Sequence, residues 1–465
     1  MASSPTRVGL SALEGHLWEA ANILRGPVDA ADFKSYIFPL LFFRRISDVF
    51  DEELELALEE SGGDQQYAYF PENHRFQIPE GCHWKDVRSR TTNLGQALQR
   101  AFRGIEKADP SSLYGIFGDT QWSNKERLSD ELLCDLIEHF SRLPLSNQSV
   151  DSDILGQAYE YLIKKFADQT NRKAGEFYTP RTVVRLMINI LDPREGETIY
   201  DPACGSGGMP LEAVNHVRGA GGNVRSLWGR LFGQEKNLTT AAIARINLFL
   251  HGVEDFKIVR GDTLRDPAFL QGDRLASFDC VIANPPFSLK RWGEDVWTSD
   301  PYGRNFAGLP PQERAGFAFF QHIICSLKPK TGRCAILFPH GVLFRDEEQS
   351  MRVRLVEHDI LDCVLGLGPN LFYNSPMEAC VVVCRMNKPA ERPRKILFIN
   401  AVAEVTRERG QSFLDESHIG KIHSACRAFA DFPPARRQRG RQRRKRPAGA
   451  SRSDRRLAGK LHRTT

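Results

Sequence analysis

The sequence predicts an α/β protein with a mostly parallel sheet, preceded by an all-α N-terminal domain. Two observations predict this fold. From residue 10 to about residue 142, apolar residues recur every three or four positions, which is the period of an amphipathic helix. After Asp153, short apolar runs that end at Gly, Pro, Asn or Asp alternate with helical segments, which is typical of βαβ units in a sheet covered on both faces. With 465 residues the chain is long enough for several domains.

The helical domain is predicted over residues 1–145. In residues 32–60 the apolar positions follow helical spacing, and Pro39 is expected to kink the helix. A second helical stretch, DELLCDLIEHFSRL, begins at Asp130. The polar residues 146–153 are interpreted as a linker. One interpretation of this domain is a packing module without chemistry of its own.

The α/β domain is predicted over residues 154–430. Its apolar runs predict seven strands, which read GETIYDPACG, GRLFGQEKN, DFKIVRGDT, SFDCVIANPPF, GRCAILFPHG, ILDCVLGLG and EACVVVCRM. In such a sheet, ligands bind at the carboxyl ends of the strands. The polar residues that end these runs are therefore candidate site residues by position alone.

Charge is distributed unevenly along the chain. The formal net charge is +5, but residues 432–465 hold 13 Lys or Arg against one acid, so the remainder has 50 basic and 57 acidic residues, a net of −7. A nucleic-acid partner is thus not predicted by overall charge, and local patches or another subunit would have to supply much of the phosphate attraction. Residues 432–465 are poor in apolar side chains, which predicts a disordered basic tail, and an arm that touches nucleic acid is one interpretation of it.

Membrane and metal functions are not predicted. The N-terminal residues lack the pattern of a signal peptide, and the most hydrophobic patch near them, residues 36–43, is too short to span a bilayer, which predicts a cytoplasmic protein without a membrane partner. The ten cysteines form no CxxC pair and no His cluster has metal-ligand spacing, so no metal site is predicted. Reduced, mostly buried thiols are expected.

The first motif is DPACGSGG, residues 201–208, at a predicted turn from strand to helix. Its glycines, Gly205, Gly207 and Gly208, let the backbone approach a ligand, and the helix N-terminus offers unpaired N–H groups. The order is neither GxGxxG nor GxxxxGK followed by Ser or Thr, and no Lys follows that could reach a triphosphate. A nucleoside cofactor without a pyrophosphate fits better, and a merely structural turn is the alternative.

Two acids end the next two predicted strands. Glu235, in GQEKN, lies one βαβ unit after the glycine turn and could hydrogen-bond both ribose hydroxyls, whereas the alternative is a solvated surface Glu. Asp262, in RGDT, could accept a hydrogen bond from an adenine amino group, or it could cap the next helix.

The fourth motif, NPPF, ends the strand that follows. Asn284 supplies a side-chain carbonyl, while Pro285 and Pro286 remove donors and leave main-chain oxygens as acceptors. Two acceptors aimed at one amino group would localise the lone pair of its nitrogen, and Phe287 offers a face on which an extruded base can stack. A tight turn is the alternative for NPP alone. Because the four motifs close four successive predicted strands, we interpret them as one site.

In these motifs the chain resembles S-adenosylmethionine-dependent DNA N6-adenine methyltransferases, and most closely the modification subunit of type I restriction-modification systems. The resemblance covers about residues 10–430. It extends to GEFYTPR at 175–181, to LWEAANILRG and FPLLFFRRISD near the N-terminus, and to the later segments LFPHGVLFR and NLFYNSPMEACVVV. It implies a Rossmann-like methyltransferase domain that transfers a methyl group from S-adenosylmethionine to N6 of adenine in DNA.

The resemblance also implies residue roles and partners. The catalytic residues would be Asn284, Pro285, Pro286 and Phe287. The residues implied around S-adenosylmethionine are Glu176, Phe177, Tyr178, Thr179, Pro180, Arg181, Asp201, Gly205, Ser206, Gly207, Gly208, Glu235 and Asp262. The implied partners are double-stranded DNA, one specificity subunit for two modification subunits, and a restriction and translocase subunit.

Two alternatives and one departure accompany the resemblance. The alternatives are methylation of a protein glutamine or a ribosomal RNA base, and a non-catalytic assembly subunit. The departure lies at the C-terminus, where the family continues into folded sequence that docks on the specificity subunit. Here SACRAFADF gives way to PPARRQRGRQRRKRPAGASRSDRR, so a frameshifted or truncated terminus is the alternative to a basic arm.

Overall fold

The N-terminal part of the chain is helical, as predicted. In the computed structural model, the described residues are 7–169, 179–372, 378–408 and 411–430. Residues 7–169 form eight α-helices: α1 (Leu10–Leu24), α2 (Lys34–Glu60), α3 (Gln65–Ala68), α4 (Trp84–Arg88), α5 (Leu94–Ala108), α6 (Pro110–Leu113), α7 (Asp130–Ser141) and α8 (Ser152–Gln169).

Helix α2 forms the centre of this layer. Its aromatic residues are buried, and the ring of Phe43 lies 5.3 Å from those of Trp84 and Phe102. Pro39 lies inside the helix and lacks the N–H that would donate to the carbonyl of Ser35, four residues earlier. The hydroxyl of Thr120 donates to that carbonyl over 3.1 Å instead. The polar group freed by the proline is therefore paired by a neighbouring loop.

The segment predicted as a linker, residues 146–153, is shorter than predicted and contains a buried residue. Val150 is fully buried, and α8 begins at Ser152, within the predicted linker. The apolar face of α8, which includes Leu155 and Leu162, belongs to the core of the helical layer. The layer thus continues to about residue 169, beyond the boundary that composition indicated, because the polar residues 146–149 hide the start of another amphipathic helix.

A mostly parallel eight-stranded sheet follows, in the order β10-β8-β9-β7-β6-β1-β2-β3. Only β9 runs antiparallel to its neighbours among these strands. The strands of the sheet are β1 (Ile199–Asp201), β2 (Leu231–Glu235), β3 (Lys257–Arg260), β6 (Cys280–Ala283), β7 (Arg333–Pro339), β8 (Leu361–Gly366), β9 (Ala379–Arg385) and β10 (Leu397–Asn400), and two small hairpins pair β4 (Leu270–Gln271) with β5 (Arg274–Leu275) and β11 (Thr406–Glu408) with β12 (Gln411–Phe413).

Helices cover both faces of the sheet, which confirms the predicted α/β architecture. The helices of this part are α9 (Arg181–Leu191), α10 (Gly208–Gly219), α11 (Leu238–Leu250), α12 (Glu294–Trp297), α13 (Gly316–Cys325), α14 (Gln349–Glu357) and α15 (Glu416–Ala428). One apolar core contains side chains of α9, α10 and α15, and a second, on alternate strand residues, contains side chains of α13 and α14. Strand residues alternate between the two faces, so each strand contributes to both cores.

Helix α11 joins the sheet to the helical layer. Ile243, Ile246 and Phe249 belong to the core of that layer, and the rings of Phe42 and Phe249 are 5.8 Å apart. All ten cysteines are free thiols, and eight of them are buried, as expected. Within the described parts of the chain, we find no helix with the length and apolar character needed to cross a membrane. The predicted tail, residues 432–465, lies outside the described residues.

Candidate active site

The four motifs meet at one edge of the sheet. Strand β1 pairs with β2 on one side and with β6 on the other, and all three are parallel. After β3 the chain crosses back over β1 to form β6, so the gap between β1 and β6 is the point at which the strand order reverses. Ligands of open α/β sheets bind at this point, beyond the carboxyl ends of the strands. The glycine turn follows β1 and NPPF follows β6, which places both at the switch point.

The glycine turn is shaped for the close approach of a ligand. Gly207 has a φ of +78° and caps α10, and a Cβ on it would lie 3.2 Å from Ala244. A Cβ on Gly205 or Gly208, in contrast, would meet no atom within 4 Å. The backbone is thus packed against α11 at Gly207 and open on either side of it.

Asp201 is a structural acid of this turn. Its side chain is 1% exposed, and its Oδ1 accepts the N–H of Ala203 over 3.0 Å. Burial, together with the nearby Glu235 carboxylate, raises the pKa of Asp201 to about 8, although the Ala203 hydrogen bond acts in the opposite direction. The carboxyl group therefore fixes the path of the chain between the end of β1 and the glycines.

Glu235 bridges the end of β2 to the glycine turn. One carboxylate oxygen accepts the N–H of Gly205 over 3.1 Å, and the other accepts the N–H of Asn237 over 2.9 Å. Its side chain is half-buried at the edge of the sheet. These two hydrogen bonds join the end of β2 to the backbone of the glycine turn.

Asp262 lies at the end of β3 and organises the turn that follows. Its Oδ1 accepts the N–H groups of Leu264 and Arg265 over 3.2 and 3.3 Å, and its Oδ2 accepts from Lys236 Nζ over 2.8 Å. Asp262 therefore caps backbone N–H groups, as in the capping alternative, but those of a turn and not of a helix. The adenine-binding role stays a prediction.

Asn284 differs from these acids because half of its amide has no partner. Its Nδ2 donates to Thr179 Oγ1 over 2.8 Å, whereas its Oδ1 is buried and has no hydrogen-bond partner among the described residues. Pro285 is buried, and Phe287 packs at the border of the sheet core. An unpaired buried acceptor is costly and rare in folded proteins, so this oxygen indicates a site for a donor.

The segment GEFYTPR is described only from Thr179 onward, and Glu176, Phe177 and Tyr178 lie outside the described residues. Pro180 precedes the first turn of α9, and its carbonyl accepts the N–H of Val183 over 2.9 Å. Arg181 donates to Glu160 on α8 over 2.7 Å and to Glu212 on α10 over 3.4 Å. These ion pairs tie the segment to the helical layer and to the helix that follows the glycine turn.

Two positioning residues were not predicted from the sequence. Asn247 on α11 is 2% exposed and donates from Nδ2 to the carbonyl of Ser206 over 3.0 Å, which holds the glycine turn. Gln234 on β2 is fully buried; it donates to the carbonyl of Asp266 and accepts from the N–H of Ala268, and so fixes the loop after β3. A polar residue inside an apolar run, as in ARINLFL, is the signal that could have identified Asn247.

The residues of this edge fit a nucleoside cofactor next to a planar amine. The backbone is open at Gly205 and Gly208, and carboxylates lie at the next two strand ends. Across the switch point lies the Asn284 oxygen, which no described residue pairs. The Rossmann-like sheet and this site together place the protein in the class of N-methyltransferases.

Comparison with protein families identifies the group within this class. The family model for N-6 DNA methylases matches residues 150–439, and the model for the HsdM N-terminal domain matches residues 13–140. The chain belongs to the N-6 DNA methylase family, whose members are adenine-specific DNA methyltransferases. Enzymes with this fold and of this family use S-adenosylmethionine.

Individual relatives agree with this assignment. The chain is 33% identical over 435 residues to the type I restriction enzyme MjaVII methylase subunit of Methanocaldococcus jannaschii. That alignment covers 89% of this chain and 72% of the relative. It is 30% identical over 318 residues to the type I restriction enzyme HindI methylase subunit of Haemophilus influenzae, covering 67% and 69% of the two chains. The crystal structure of the type I methyltransferase subunit from Streptococcus thermophilus superposes with a TM-score of 0.77 at 30% identity, covering 90% of this chain and 93% of that one.

Proposed function

We propose that this chain transfers a methyl group from S-adenosylmethionine to N6 of adenine in double-stranded DNA, as the methylase subunit of a type I restriction-modification system. The observation that carries the proposal is the buried Oδ1 of Asn284, which has no hydrogen-bond partner within the described parts of the chain and lies at the end of β6, beside the glycine turn of β1. In this proposal residues 1–145 form a helical domain and residues 154–430 carry the methyl transfer, with α8 packed on the core of the helical layer.

The cofactor side of the site is proposed to consist of the glycine turn and the acids at the ends of β2 and β3. Glu235 would accept the ribose hydroxyls, and Asp262 would accept the adenine amino group of the cofactor. The glycine turn would admit the cofactor because Gly205 and Gly208 leave open space. When it is bound, S-adenosylmethionine supplies an electrophilic methyl group on its sulfonium centre. The other proposed cofactor residues are Glu176, Phe177, Tyr178, Thr179, Pro180, Arg181, Asp201, Ser206 and Gly207.

The substrate side is proposed to act on the amino group of an extruded adenine. Asn284 Oδ1 and the carbonyl of Pro285 would each accept one N–H of that group, which localises the nitrogen lone pair and orients it for attack. Pro286 keeps the turn rigid and without a donor, and Phe287 would stack on the base. A neutral amine attacks before it loses a proton, so the transfer itself requires no general base.

Partner subunits are part of the proposal. The relatives are named as subunits of type I restriction enzymes. The part of this chain before residue 432 has a net charge of −7, which disfavours a strong grip on DNA without help. We therefore propose that a specificity subunit, shared by two methylase subunits, supplies base recognition and phosphate contacts. A restriction and translocase subunit would join this complex.

The experiment that tests the function is the substitution Asn284→Ala. We expect methyl transfer to duplex DNA that contains adenine, measured with labelled S-adenosylmethionine and added specificity subunit, to fall by about 10²–10³-fold or more, because an oriented acceptor is lost in the transition state. Cofactor affinity, measured by calorimetry, should stay unchanged.

The matched control is Asn223→Ala, because Asn223 is exposed and lies before β2, at the opposite edge of the sheet. Its turnover should equal that of the wild type. Near-normal turnover of the Asn284→Ala protein would disprove the catalytic assignment, and transfer to ribosomal RNA or to a protein glutamine in place of DNA would favour the alternative substrates.

A further inference from the structure

The two ends of the Asn284 amide have different surroundings. The nitrogen donates to the hydroxyl of Thr179 over 2.8 Å, and the oxygen is buried with no hydrogen-bond partner in the portion of the chain that the structure describes. An amino group that approaches the site presents N–H donors, and only the oxygen end complements them. A reversed amide would direct N–H against N–H and would leave the substrate without an acceptor.

Thr179 gives the amide nitrogen a partner on the side away from the substrate. We propose that Thr179 is a positioning residue for methyl transfer, which holds the Asn284 amide with its oxygen directed at the target amine. The inference rests on the proposed function of Asn284 and adds a role to Thr179 beyond contact with the cofactor. Without the hydroxyl, the amide nitrogen of Asn284 loses this acceptor, and the amide loses the contact that fixes its orientation.

The segment that carries Thr179 is anchored by the two residues that follow it. The residue immediately precedes Pro180, whose buried ring and helix-starting carbonyl fix the beginning of α9. Arg181 then pairs with Glu160 of α8 and Glu212 of α10. Helix α10 follows the glycine turn, and α8 belongs to the helical layer. The amide is therefore positioned by a segment that is anchored to both parts of the chain.

The expected effect is a loss of turnover that exceeds any loss of binding. Thr179→Val keeps the shape of the side chain and removes its hydrogen-bonding oxygen. We expect kcat to fall by about 10- to 100-fold, which is the scale of one buried hydrogen bond to a neutral amide that is needed in the transition state. The KM for DNA should stay within about twofold, and any loss of affinity for S-adenosylmethionine should be smaller than the loss of kcat, since the hydroxyl acts on the transition state through Asn284.

The experiment compares four variants of the full chain with the specificity subunit present. Thr179→Val and Thr179→Ala remove the hydroxyl, and Thr179→Ser retains it. Thr182→Val is the control, because Thr182 is half-buried like Thr179 but lies in the first turn of α9. We measure kcat and KM, cofactor affinity by calorimetry, and extrusion of the base by the fluorescence of 2-aminopurine at the target position. Thr179→Ser and Thr182→Val should have near-normal kcat, and all four variants should extrude the base.

Three results would overturn the inference about Thr179. The proposed function would stand in each case as long as Asn284→Ala is inactive. The three results are a normal kcat in Thr179→Val and Thr179→Ala, a defect that appears only as weaker cofactor binding, or a defect that Thr179→Ser shares. Circular dichroism establishes that each variant is folded, and Thr179→Ala replaces Thr179→Val if the latter unfolds. If Asn284→Ala retains turnover, the proposed function fails first.

Discussion

The two sides of the switch point are constructed differently. On the side of β1, β2 and β3, the side-chain carboxyl groups of Asp201, Glu235 and Asp262 each accept N–H groups of nearby loop backbone. On the side of β6, the acceptor of Asn284 has no partner among residues 7–169, 179–372, 378–408 and 411–430, and the hydroxyl of Thr179, 105 residues away in sequence, holds its amide. The cofactor side is thus formed by its own loops, whereas the substrate side depends on a distant segment.

This difference predicts which properties of the protein a substitution on each side should change. Acids that bond to loop backbone stabilise the fold as well as the ligand, because their removal leaves buried N–H groups unpaired. A buried acceptor that is paired only when substrate binds does not stabilise the fold, because its desolvation is not compensated. We therefore expect changes on the cofactor side to alter stability or cofactor affinity, and changes on the substrate side to alter turnover.

The largest expected effect of this kind is the pH dependence contributed by Asp201. The folded-state pKa of Asp201, about 8, lies above its ordinary value of 3.8. Its contribution to the unfolding free energy is therefore fully present below pH 3.8 and is lost as pH rises from there through about 8. Between pH 5.5 and 8.5 the wild type should lose unfolding free energy relative to Asp201→Asn, with a limiting slope of about 1.4 kcal/mol per pH unit. Denaturant titrations over this range measure both slopes, and equal slopes would show that the carboxyl group does not titrate in this way.

A smaller effect is expected at the glycines, where the structure separates folding from binding. Gly207→Ala should lower the unfolding free energy by about 1–2 kcal/mol, because the residue has a positive φ and its Cβ would crowd Ala244. Gly208→Ala should preserve stability or raise it by up to about 1 kcal/mol, since it places alanine in open space at the start of α10. Cofactor affinity should nevertheless fall in Gly208→Ala, and an unchanged affinity would indicate that the backbone is not approached there.

The smallest effect is expected for the ion pair between Lys236 and Asp262. Lys236 is mostly exposed, and exposed pairs contribute less than about 1 kcal/mol. Lys236→Ala should therefore change stability and cofactor affinity only slightly. Asp262→Ala should change both more, because it also removes the acceptor of Leu264 and Arg265 N–H. Calorimetry and thermal denaturation compare the two variants, and a Lys236→Ala defect as large as that of Asp262→Ala would mean that charge, rather than the turn, is decisive.

Much of the fold could be predicted because it depends on local patterns. All seven predicted runs contain a strand of the central sheet. Most of these strands are buried on both faces and therefore appear as continuous apolar runs, whereas β3 is mostly exposed. Strand β10 was not predicted. Its residues alternate between buried and exposed over only four positions at the border of the sheet, which leaves too weak a pattern.

The strand-end positions of Glu235, Asp262 and Asn284 could be predicted for the same reason, and the structure places them at one edge. The hydrogen-bond partners of these residues could not. The sequence left open whether Asp262 caps a helix, and the structure shows that it binds a turn. Asn247 was missed because a single amide in an apolar helix has no periodic signal.

The sequence by itself determined the order of elements, the layer of amphipathic helices and the four motifs at strand ends, because each depends on residues close together in the chain. Only the tertiary structure decided that α8 packs with the helical layer, that Asn247 holds Ser206, and that Thr179 holds Asn284. These contacts join residues 41 and 105 positions apart, and a hydrogen bond between two polar side chains depends on how intervening elements pack, which no local spacing encodes.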